Sequence, residues 1–129
     1  MTINPLGPLA ALTAFFSIWF GHVAVRKIEF ISSAIWLPIS GFAIAGLAFE
    51  WISLLASNLL LSTACGILGI TLLFDAFEFT RQQRRIIHGH TPANPHNPRH
   101  AAILADSNSR ATTLDLLKRE PTDQRVTGH

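Results

Sequence analysis

From Leu9 to Phe74 the chain carries only five ionisable side chains apart from Cys65: His22, Arg26, Lys27, Glu29 and Glu50. A soluble domain alternates polar and apolar positions through its length. Here they are segregated, because charges, histidines and prolines dominate from Asp75 onward. The hydrophobic share of 49 % over 129 residues is ordinary for one globular domain, so the distribution and not the total sets the class. The pattern predicts an all-α integral membrane protein with three transmembrane helices and a polar C-terminal tail.

After a short N-terminal segment, residues 1–8, the first span is expected over about 9–25. Pro8 suits a first helical turn, where its missing N–H loses no partner. The 17 residues to Val25 reach about 25 Å, slightly short of a ~30 Å hydrocarbon core. The second span, 30–49, has 20 residues without a charge before Glu50 and contains Pro38, which is expected to kink it. Glu50 and Trp51 are read as interfacial, the Trp in its belt position. The third span, 59–79, starts at Asn58 as N-cap. A two-helix hairpin with a peripheral first segment is the rival count.

Helix packing in lipid favours small residues, which let backbones approach. On that ground Gly41 and Ala45 in the second span, and Ser62, Gly66 and Gly69 with Cys65 in the third, are the expected contact faces. A lone cysteine forms no internal disulfide.

Orientation follows from the basic residues. The N-terminal segment has no Lys or Arg, and so lacks the basic region of a cleavable signal peptide. Arg26 and Lys27 follow the first span, and Arg81, Arg84 and Arg85 follow the third. Three spans put both clusters on one side, which by the positive-inside rule is the cytoplasm. The expected location is the cytoplasmic (inner) membrane, with the N-terminus outside and the C-terminus inside.

No CxxC pair, HExxH, P-loop or nucleophile elbow occurs, so neither catalytic nor cofactor-binding residues are assigned and no cofactor is expected. Positive charges are interleaved with acids and lack aromatic platforms, which argues against nucleic acid.

The run GHVAVRKIEF, then GILGITLLF, then Glu78, Gln82, Arg84, Arg85, Gly89, Pro92, Asn94 and Pro95 in an E-x3-Q-x-RR-x3-G-x2-P-x-NP pattern resembles a family of small bacterial membrane proteins. That family is catalogued as a domain of unknown function (number four-four-nine-one). The resemblance covers roughly Leu9 to Pro98, and implies the fold and a bacterial origin but no activity. His90 stands where the family has an aromatic residue, and Val23 where it often has Pro.

His22, Arg26 and Glu29 fall at i, i+4 and i+7, one face of the first helix if it continues that far. Asp75, Glu78, Gln82 and Arg85 form a similar stripe on the third. Counted back from the basic collars, His22 and Asp75 lie at matching depth. The bland reading is mutual satisfaction of polar groups near the membrane rim, where a shallow carboxylate costs little. The sharper reading is a proton or cation site of His22, Asp75 and Glu78. The corresponding functions are a structural or accessory membrane protein, in a homo-oligomer or with other membrane subunits in the lipid bilayer, and a minimal oligomeric proton or cation transporter or channel.

The segment 81–98 is basic and rich in Pro and His. Pro92, Pro95 and Pro98 favour an extended course there. His88, His90, His96 and His100 are imidazoles without a completing Cys or carboxylate, so no metal site is assigned. Residues 99–129 are read as a polar tail, extended or with short helices at Ala101–Ala105 and Thr113–Glu120.

Overall fold

The computed structural model describes residues 1–115, and the chain divides into two compact units, one comprising Met1–Gln82 and one starting at Gln83. Four helices follow one another: α1 Leu6–Ile31, α2 Trp36–Leu55, α3 Leu59–Ile87 and α4 Pro98–Ala105. The first three are long and apolar enough to cross a membrane. At 1.5 Å per residue, α1, α2 and α3 extend for about 39, 30 and 43 Å.

The helix boundaries differ from those read off the sequence, and each difference has a local cause. α1 does not stop at Val25: Arg and Lys are good helix formers, so Arg26 and Lys27 continue the helix and remove the shortfall in length. It ends at Ser32, whose N–H bonds Ile28 O at 2.8 Å while its hydroxyl donates to Ala34 O at 2.8 Å. α2 accordingly starts at Trp36 and not at Phe30. Pro38 then sits in its first turn, ahead of the first intrahelical bond from Ile39 N to Ile35 O, so no bond is lost and the expected kink has no cause. α3 starts where Asn58 caps it, the Asn58 Oδ1 accepting from Leu60 N and Leu61 N at 2.9 and 3.2 Å. It continues past residue 79 to Ile87.

Four-residue and three-residue connections join α1 to α2 and α2 to α3, so neighbours are antiparallel and α1 runs the same way as α3. The α2–α3 contact is closed at the turn by two serines. Ser53 Oγ donates to Ser62 O at 2.7 Å and Ser62 Oγ donates to Ser53 O at 2.8 Å. Deeper along the pair, a Cβ on Gly46 would lie 2.9 Å from Gly69 O, and one on Gly69 would lie 2.9 Å from Gly46 O. At the far end Phe42 meets Phe79 edge to face, with ring centroids 5.2 Å apart.

The second unit begins with the last residues of α3, 83–87. Gly89 takes φ +76°, with His90 N bonded to Arg85 O at 2.8 Å and Gly89 N to Ile86 O at 3.0 Å, the Schellman pattern that satisfies the last carbonyls. The chain is not extended over Pro92–Pro98. Asn94 Oδ1 accepts from His96 N, and Asn97 Oδ1 from Arg99 N, both at 3.0 Å; each side chain turns the backbone, and Pro98 becomes the first residue of α4. The following strip returns to α3, where Arg110 N bonds Ile87 O at 2.8 Å and Ala93 N bonds Thr112 O at 2.9 Å. Of the two short helices expected in the tail, the first corresponds to α4. The second, Thr113–Glu120, lies mostly outside the described residues.

Candidate functional site: an intramembrane polar cluster

The residues of the α1 stripe differ in burial. Gly21, Val25 and Glu29, four apart, are the buried residues of α1. His22 and Arg26 are exposed, whereas Glu29, seven residues past His22 and only about 20° around the helix from it, is buried. Extending α1 beyond Val25 is what brings Glu29 inside: it is 1 % exposed.

Asp75 of α3 is seated on this face. A Cβ built on Gly21 would lie 2.6 Å from Asp75 Oδ1 and 2.7 Å from its Cγ, so the carboxylate occupies the space that any larger residue at 21 would fill. Around it Asp75 is half-buried, and the charges that act on it are those of His22 and Glu78. No hydrogen bond or ion pair joins His22 to Asp75 or Glu78 among the described residues; their coupling is through charge. Glu78 also pairs with Arg81, Nη1 to Oε2, at 3.4 Å. Gln82, one turn on from Glu78, is buried, whereas Arg84 and Arg85 are exposed in the last turn of α3.

A second carboxylate lies within the apolar part. Glu50 is not at the end of α2, which continues to Leu55. Helical Cβ bonds tilt toward the N-terminus, which carries this side chain inward along α2. A Cβ on Gly69 would lie 2.7 Å from Glu50 Oε1. Trp51 beside it is 64 % exposed.

Among the small residues, Ser62, Gly66 and Gly69 face α2: a Cβ on Gly66 would lie 3.0 Å from Ser53 Oγ. Cys65 is buried with them. Ala45 is half-buried, and a Cβ on Gly41 would meet nothing within 4 Å. Gly46 and Gly21, which make the close approaches on α2 and α1, were not singled out in the sequence. A usable signal was there on α2, where Gly46 lies in helical line with Glu50 and Ser53; nothing comparable marks Gly21, since the ionisable His22, Arg26 and Lys27 lie off its line.

The tail histidines do not converge on one point. His100 is fully buried, its Nδ1 accepting from Asn94 N at 2.9 Å. His88 Nδ1 donates to Arg84 O at 2.7 Å, and its ring stacks on His90 at 5.9 Å between centroids. Among the described residues no three His, Cys, Asp or Glu side chains converge as metal ligands.

No curated protein and no solved structure matches the chain. The family described as Domain of unknown function (DUF4491) matches residues 4–97, which takes in all three long helices, the Gly21–Asp75 contact and the Gly89 turn, and ends where α4 begins. Since that match covers well over half of its length, the chain belongs to this family of unknown function.

Proposed function

We propose that this is a structural or accessory membrane protein, without catalytic activity, that packs in a homo-oligomer or against other membrane subunits. The observation that carries this reading is how little of its spans the chain covers by itself. Only 11 %, 6 % and 17 % of the apolar windows of α1, α2 and α3 are buried within the chain. The remaining surface suits lipid and other helices, and the open Gly41 side of α2 admits close approach. The proposed location is the cytoplasmic membrane. Arg26 and Lys27 near the end of α1, with Arg81, Arg84 and Arg85 near the end of α3, favour the N-terminus outside and the C-terminus inside.

The second reading is an oligomeric proton or cation pathway through His22, Asp75 and Glu78, favoured by one observation, the seating of the Asp75 carboxylate on Gly21 inside the apolar region. Ion flux into vesicles containing the purified protein separates the two. The accessory reading expects background flux for the wild type. A proton or cation leak that both His22→Ala and Asp75→Asn abolish would replace it with the transport reading.

A further inference from the structure

The contact between Gly21 and Asp75 fixes the relative height of α1 and α3, and thereby of the charges beyond it. Both helices run the same way. Arg26 lies five residues past Gly21 and Arg81 six past Asp75, about 7.5 and 9 Å at the helical rise, so the two guanidinium-bearing positions stand at nearly one level. They also lie on one side of the α1–α3 seam. His22 acts by charge on Asp75 and so marks the side of α1 next to it, and Arg26 is four residues further along that line. Glu78 acts on the same carboxylate, and Arg81 is paired to Glu78. Lys27, a further 100° around α1, points away from the seam.

Both arginines are accessible. Arg26 is exposed and makes no side-chain hydrogen bond or ion pair among the described residues, and the Arg81 side chain is 58 % exposed despite its pair with Glu78. Two turns from each toward the middle of the helices, seven residues back along the same lines, the surface is apolar: Trp19 on α1 and Phe74 on α3 are at least 60 % exposed. Two cations level with each other, with exposed aromatics two turns deeper, match a phosphate joined to an acyl chain. A free phosphate would leave the aromatics without a role.

We propose that the seam between α1 and α3 binds an anionic phospholipid, with Arg26 and Arg81 holding the headgroup phosphate and Trp19 and Phe74 lining its acyl chain. This rests on the membrane reading above, with these arginines at headgroup level, and not on the assembly reading. Juxtamembrane cations near an anionic leaflet attract its lipids, and arginine forks suit phosphate better than an ammonium does.

The test is native mass spectrometry of the full chain released from equimolar phosphatidylglycerol and phosphatidylcholine. The wild type is expected to retain phosphatidylglycerol over phosphatidylcholine by about tenfold. Arg26→Gln combined with Arg81→Gln should bring the two lipids to near parity, whereas Lys27→Gln, which removes the same charge away from the seam, should leave the preference in place. Glycerol phosphate added in excess should not displace the lipid. No preference in the wild type, an equal loss with Lys27→Gln, or displacement by glycerol phosphate would overturn the site. If the double variant does not fold, the wild type alone decides: raising the salt from about 0.1 M to about 1 M should erase the preference if the arginines hold the headgroup, and an unchanged preference rejects them. A chain that keeps its phosphatidylglycerol but carries no second polypeptide retains this site and loses the assembly reading.

Discussion

Gly46 and Gly69 stand so close that a methyl group added to either would come within 2.9 Å of the other's carbonyl oxygen. At that separation the two backbones are themselves the contact. A side chain on either would push α2 from α3, and the seating of Glu50 on Gly69 and the Ser53–Ser62 hydrogen bonds would go with it.

Gly69→Leu is therefore expected to lower the unfolding midpoint in detergent strongly, with a cost of about 2–3 kcal/mol, in the range for overpacking a tight contact. Gly41→Leu should leave that midpoint nearly unchanged, because nothing lies within 4 Å of its added Cβ. Gly41 is instead expected to matter between chains, so its Leu variant should lower the mass of the assembled particle. Equal midpoints for the two variants would contradict the packing described.

A second expectation concerns Gly89, which combines φ +76° with the Arg110 carbonyl only 2.5 Å from where a Cβ would stand. Gly89→Ala carries the left-handed penalty, about 1 kcal/mol, and displaces the returning strip besides. Limited proteolysis should cut within residues 88–112 of the variant much faster than in the wild type, with the three long helices still intact. Equal cutting rates would mean that the return of the chain to α3 does not depend on this turn.

The three apolar helices were legible because nothing interrupts their hydrophobic runs except residues that helices tolerate. Their ends were not, for the same reason: Arg26 and Lys27 look like a boundary in charge but not in backbone preference, and the stop comes from Ser32, whose hydroxyl turns the chain. Pro38 implies a kink only if α2 starts six residues earlier, at Phe30; from Trp36 it falls in the first turn. The tail was opaque for a different reason. Its fold depends on backbone partners far apart in sequence, Arg110 with Ile87 and Ala93 with Thr112, which leave no periodic trace. Within the cluster, Asp75 and His22 were matched in depth by counting from the arginines. The exposure of His22, and Gly21 as the residue Asp75 rests on, depend on how α1 packs against α3, which the pattern of α1 alone does not carry.

The proposed orientation places Asn4 outside and Ser109 inside. Single cysteines introduced at these positions, in a Cys65→Ala background, should give labelling by an impermeant thiol reagent in intact cells at Asn4 only. Labelling at Ser109 before the cells are opened would reverse the orientation and place the arginines of α1 and α3 against the outer leaflet.

The central claim, that this chain works by packing with other membrane polypeptides, is tested most directly by the protein mass of the particle purified from native membranes in a mild detergent. Light scattering corrected for bound detergent, with the polypeptides identified, should give a mass that is a multiple of the 14.2 kDa chain or includes a second subunit in fixed ratio. A single 14.2 kDa chain with nothing attached, at protein concentrations where Gly41→Leu and wild type behave alike, would contradict it.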